Sequence, residues 1–148
     1  MQPDIEARIR RLEDTESIRR LKARYCDICD DGHNPARIVT LFAPEGTWET
    51  PEHGVRRGHA EIRCVFEGLR DRITFSQHNT TNLNITLRGD TATATWHFLG
   101  VLAFPDAPAR LTLARYEETY VRLDGEWKIL RLRAIPLARA ELPGLTQL

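Results

Sequence analysis

Apolar residues recur at helical spacing through the first half of the chain and at alternate positions through the second. Ile5, Ile9 and Leu12 predict a short helical stripe, and Asp14 can cap a second helix behind it, with Glu16 in the first turn. That second helix carries IRRLKARYCDICDD, where Ile18, Leu21, Tyr25 and Ile28 step by three, four and three along one face. Asp31-Gly32-His33-Asn34-Pro35 is loop chemistry, and Ile38, Leu41 and Phe42 predict a short helix. Ala43-Pro44-Glu45-Gly46 reads as a turn, Thr47 to Thr50 as a first strand, and the stretch with Pro51 and Gly54 as a polar loop. A third helix runs from His59 to Leu69, with Ile62, Val65, Phe66 and Leu69 on one side.

From Ile73 the period becomes two. One strand is expected through Thr74 to Leu87, bent near Asn79. A turn at Arg88-Gly89-Asp90 leads into a strand from Thr91 to Phe104. (Arg-Gly-Asp is also a cell-adhesion tripeptide, but a hairpin turn accounts for it here.) A loop with Pro105 and Pro108 precedes a strand from Arg110 to Leu123, and Asp124-Gly125 is a two-residue hairpin signal. The last strand runs from Glu126 to Ile135, where Pro136 ends it, and the tail 137–148 reads as loose. Helices followed by long antiparallel strands predict one α+β domain over 1–148.

The strand faces then raise a question of chemistry. Tyr116, Glu118 and Tyr120 alternate with Arg115, Glu117 and Thr119, so both faces carry polar groups that need a wet cavity or a subunit interface. Tyr25 brings a hydroxyl into an apolar helix face. Asp30 and Asp31 set carboxylates against the negative end of the helix dipole, which is locally unfavourable.

The 148 residues hold 21 basic and 21 acidic side chains, giving zero formal charge. No basic block interleaved with aromatics suggests nucleic acid, and no apolar run suggests a membrane span or signal core. The chain therefore reads as cytoplasmic. Cys26, Cys29 and Cys64 are too few for a disulfide scaffold. The CxxC at Cys26 and Cys29 lies inside a helical pattern without a second pair, so it reads as core packing and not as a metal site.

Five stretches in this order, IRRLKARYCDICDD, LFAPEGTWE, GHAEIRCVFEGL, QHNTTNLNITLRGDTATATW and YVRLDGEWKI, resemble the SnoaL-like members of the NTF2-like superfamily. The resemblance spans Ile5 to Pro136 and implies a cone-shaped barrel with helices packed on a curved, mainly antiparallel sheet around a pocket. The finer likeness is to a branch containing bile acid dehydratase, scytalone dehydratase and hexachlorocyclohexane dehydrochlorinase. It implies a pocket Asp-His pair at Asp30 and His78, with Tyr25 at a dehydratase tyrosine position. Asn82 matches an asparagine common in the wider group. A pocket arginine from the last strand would be Arg131 or Arg133. The further acidic residue of the bile acid enzyme would fall near Val101, which is apolar here.

These residue types suit a β-elimination. His78 would be the base, Asp30 would fix its tautomer, and Tyr25 would assist the departing or activating oxygen, with no metal and no cofactor. Trp48, Phe66, Trp96, Phe98 and Tyr116 are candidate pocket walls. His33, His53 and His59 read as surface residues. The expected function is a cofactor-independent lyase or isomerase for a small hydrophobic, steroid-, polyketide- or terpenoid-like molecule. Alternatives are a non-catalytic protein that binds such a ligand or a partner, and an epoxide hydrolase, which would want a second pocket aspartate. Family habit implies a homodimer or homotrimer.

Overall fold

The computed structural model describes residues 4–148. Helix α1 runs unbroken over Ile5–Asp30. The expected break at Asp14 is absent, because neither Gly nor Pro interrupts the helical run there. Asp14 is instead a tether. Its carboxylate accepts from both terminal nitrogens of Arg122 at 2.8 and 2.9 Å and from Trp127 Nε1 at 3.0 Å. Ile18, Leu21, Tyr25 and Ile28 are buried as their spacing predicts, whereas Ile5, Ile9 and Leu12 remain exposed.

Helix α2 (Pro35–Ile38) is capped by the Asn34 side chain, which accepts from the backbone N–H groups of Ala36 and Arg37. A 3₁₀ turn over Val39–Leu41 follows, and Phe42 opens strand β1 (Phe42–Thr50) instead of closing a helix. The expected turn at 43–46 is an irregularity inside β1, whose register jumps between Phe42 and Thr47. Gly46 is required there, since a Cβ would meet the Ala43 and Ile129 carbonyl oxygens at 2.9 and 3.0 Å. A short strand β2 (Gly54–Arg57) occupies the expected polar loop, and α3 spans Gly58–Arg72.

Four long strands complete the fold: β3 (Phe75–Arg88), β4 (Thr91–Phe104), β5 (Ala107–Leu123) and β6 (Glu126–Leu142). The sheet order is β2-β1-β6-β5-β4-β3, antiparallel except for the β1–β6 pair. The result is an α+β fold with helices on a curved, unclosed sheet. The Asp124-Gly125 turn has positive φ at both residues (50° and 81°), the geometry of a two-residue hairpin. The irregularity in β3 falls between Thr81 and Asn84, not at Asn79.

Pro136 does not end β6. It lies beside the register shift between Leu113 and Ala114, and β1 pairs with β6 no further than Arg133. On that side a missing N–H breaks no ladder bond, so the strand carries on for six more residues to Leu142. This extension matters, because it carries the far wall of the cavity described next.

Candidate active site

The last turns of α1 pack against the first half of β3, an edge strand of the sheet, and that junction builds the site. Asp30 Oδ1 lies 2.6 Å from His78 Nδ1, and Asp30 Oδ2 accepts the His78 backbone N–H at 2.9 Å. Ser76 Oγ stands 3.1 Å from Asp30 Oδ1 and 3.0 Å from the Cys29 carbonyl oxygen. Burial works against the charge on Asp30, but the hydrogen bonds and charge of His78, with Ser76, outweigh it and hold the carboxyl below its ordinary value. An ionised carboxylate can only accept, so Nδ1 carries a proton, and of the two ring nitrogens Nε2 is the one left to act on a ligand. The His78 side chain is 8% exposed and lines a cavity, and Asp30 stands behind it at 28%. The dipole conflict at Asp30 is thus offset by three hydrogen-bond donors.

The cavity measures about 160 Å³ and runs between the sheet, α1 and α3. Tyr25, Trp48, Phe66, Phe98 and Tyr116 wall it, as aromatic neighbours in edge or tilted contact. Tyr25 hydroxyl accepts from Trp48 Nε1 at 2.8 Å, which leaves its own proton to donate. Burial pushes the phenols of Tyr25 and Tyr116 well above their ordinary range, so both stay protonated. The volume is close to that of an apolar cavity known to admit one benzene ring, about 150 Å³.

His33 changes the picture. The chain leaves α1 through Gly32 (φ 75°) and His33 (φ 54°), and this left-handed exit turns the His33 ring inward. Far from being a surface residue, it is 3% exposed, lines the cavity and sits 6.0 Å from the His78 ring. Burial first, and the neighbouring His78 second, lower its pKa to about 4, so it is a neutral imidazole at pH 7. The donor atoms of Cys29, His33 and His78 lie within 4.8 Å of one another, the group among the described residues that could hold a metal ion. The Cys29 thiol is pushed well up by burial and stands protonated. His53 is also at the cavity edge, with Nδ1 3.0 Å from Thr50 Oγ1, and His59 Nε2 is 3.0 Å from the Phe42 carbonyl oxygen.

Four expected pocket residues lie elsewhere. Asn82 sits at the exposed irregularity of β3 with φ 56°, a conformation asparagine tolerates well. Trp96 is buried deeper in the core, where Nε1 donates to Tyr120 hydroxyl at 3.2 Å. Arg131 and Arg133 reach across to Glu49 at 3.4 Å each, and Arg133 also approaches Glu117, away from the cavity. The last-strand arginine that does line it is Arg139, with Arg110 from β5. No sequence signal separated these candidates, because Pro136 hid the extension of β6 and its register shift.

A SnoaL-like domain profile matches residues 10–133. No curated protein sequence matches the chain. Among solved structures, the hexachlorocyclohexane dehydrochlorinase LinA-type3 from Novosphingobium barchaimii LL02 superposes with a TM-score of 0.83 at 20% identity, covering 93% of this chain and 96% of that one. A provisional scytalone dehydratase from Novosphingobium aromaticivorans DSM 12444 gives 0.83 at 18% identity, covering 93% and 97%. A protein of unknown function from Mycobacterium tuberculosis gives 0.76 at 23%, covering 84% and 77%. At these identities the likeness concerns the fold.

Proposed function

The chain belongs to the SnoaL-like family, and from that premise we propose that it is a cofactor-independent lyase acting on a small hydrophobic molecule. The observation that carries this is the 2.6 Å contact between Asp30 Oδ1 and His78 Nδ1, made behind an imidazole that lines an aromatic-walled cavity. Nε2 of His78 takes a proton from the carbon next to an activating carbonyl. The released electron pair forms the carbon–carbon double bond as the β carbon–oxygen bond breaks. Asp30 stabilises the resulting imidazolium without taking its proton. Tyr25 donates a hydrogen bond to the oxygen that gains charge. The imidazolium returns its proton to the departing hydroxide, which leaves as water and restores the neutral base. Return of the proton to a different carbon instead would make the same machinery an isomerase.

The cavity volume supports a substrate of one ring, or two compact ones, in preference to a four-ring steroid skeleton. The test is a screen of one- and two-ring β-hydroxy carbonyl compounds, following the absorbance of the conjugated product. Turnover that His78→Ala abolishes, in a folded protein, is the expected result. Ligand binding without turnover, unchanged in His78→Ala and Asp30→Asn, would make this a binding protein.

We also propose self-association through the outer face of the sheet. Leu99 of β4 and Leu113 of β5 oppose one another in register there and are 48% and 39% exposed. Sedimentation of the wild type against Leu99→Glu tests it, with a dimer or trimer dissociating in the variant. No helix among the described residues is long and apolar enough to cross a membrane.

A further inference from the structure

The strand register sets a single row of residues across the concave face. His78 of β3 pairs with Gly100 of β4, Gly100 with Thr112 of β5, and Thr112 with Arg139 of β6. His78, Thr112 and Arg139 all line the cavity. The row spans three strand spacings, roughly 14 Å between its end Cα atoms. Its middle is kept low by Gly100, where a Cβ would lie 2.2 Å from Phe98 Cζ, so the Phe98 ring lies across it as an apolar floor. Phe98 is in turn 5.1 Å from the His78 ring. Beyond the floor stands Thr112, only 8% exposed, which brings a hydroxyl to the cavity wall.

The two ends of this row differ in charge. At the His78 end Asp30 is committed to the histidine, and the carboxylate that lines the cavity itself, Glu52, stands beside Arg72. At the other end Arg139 and Arg110, one row further along, face the cavity and make no ion pair among the described residues. Glu141 opposes Arg110 in register but neither pairs with it nor lines the cavity. Arg72 at the same mouth is the arginine with an acidic neighbour, Glu52 at 3.8 Å. Arg110 lies over the Phe104 ring at 4.8 Å, which holds its guanidinium at the cavity edge.

We propose that the substrate is an anion: a compact ring carrying a carboxylate, bound with the carboxylate at Arg110 and Arg139. The ring lies on Phe98, and a polar group midway meets Thr112. This reading rests on the cavity being the substrate pocket and adds the charge and orientation of what enters. A guanidinium pair holds a planar carboxylate through paired hydrogen bonds. The row length then leaves the reacting carbon at His78 Nε2. A neutral molecule of the same shape would leave both arginines unanswered.

The experiment is calorimetric titration of phenyl- and naphthylalkanoates and their primary amides, at low and high salt. The expected result is a preference of at least about tenfold for acid over amide, weakened by salt. Arg110→Gln/Arg139→Gln removes that preference while leaving amide affinity within about twofold, and Arg139→Lys keeps part of it. His78→Ala retains the preference, so failure of the lyase reading shows as unchanged turnover, separately from failure here. Equal binding of acid and amide by the wild type, including binding of neither, overturns the proposal, as does a preference that survives the double substitution.

Discussion

Two polar clusters lie under one sheet, and α1 contributes to both. Lys22 and Asp30 are eight residues apart on it, about 12 Å along the axis. The Lys22 ammonium pairs with Glu118, whose other oxygen takes the Tyr120 hydroxyl, and Trp96 donates to Tyr120. Lys22 also stands over the Tyr116 ring at 3.5 Å. Lys22 and Glu118 are 1% and 3% exposed, and every charge has its partner within the protein. The Asp30–His78 cluster is built from the same kinds of groups but stops one partner short. The His78 and His33 rings line a cavity, and neither makes a side-chain hydrogen bond to a further protein group among the described residues beyond the one from His78 Nδ1 to Asp30. A closed network positions elements, whereas an open one has valence left for a ligand.

That contrast can be broken most sharply at its open end. His78→Ala is expected to lower turnover by about 10²–10⁴-fold while the protein still folds, measured by kcat beside a melting curve. A large loss of stability with it would place His78 with the structural cluster.

The closed end should respond in the opposite way. Lys22→Met strands Glu118 as a buried unpaired charge and should cost about 3–5 kcal/mol in urea unfolding. Lys22→Met/Glu118→Leu should recover most of that, since removing both charges removes the penalty. A double variant as unstable as the single one would show that packing, not charge, governs the site.

His33 gives a smaller, pH-dependent effect. Its folded pKa is about 4 against an ordinary 6.5, so between these values the unfolded chain binds more protons than the folded one. Stability therefore rises with pH through that window, and is lost as pH falls from 6.5 to 4, by about 3 kcal/mol in total. His33→Asn, which tolerates the positive φ, should flatten the dependence in that window. Asp30 acts lower down. Its depressed pKa stabilises the fold above the ordinary carboxyl value near 3.8, and that contribution is lost as pH falls through the folded value. Asp30→Asn should remove this acid limb and, by taking away the carboxylate charge that partly holds the His33 pKa up, move the lower edge of the His33 window to lower pH.

The smallest expected change is at the Tyr25 hydroxyl. Trp48→Phe removes the N–H that fixes it and should cost about 1 kcal/mol, roughly a fivefold loss in turnover. An unchanged rate would mean that the phenol needs no such orientation.

The sequence by itself determined the elements whose causes are local. Helical periodicity at Ile18, Leu21, Tyr25 and Ile28, alternation from Thr91 to Phe104, and the Asp124-Gly125 turn each follow from neighbours a few residues away. The resemblance added the pairing of Asp30 with His78 and the fold that brings them together. Tertiary structure alone decided the rest. Whether Asp14 caps or tethers depends on Arg122 and Trp127, more than a hundred residues away. Which arginine reaches the cavity depends on a register shift opposite Pro136, and one slipped residue sends a strand side chain to the other face. The inward turn of His33 depends on a left-handed exit after Gly32 that periodicity does not encode. Local pattern specifies which residues can share a face, and only the assembled sheet specifies what that face encloses.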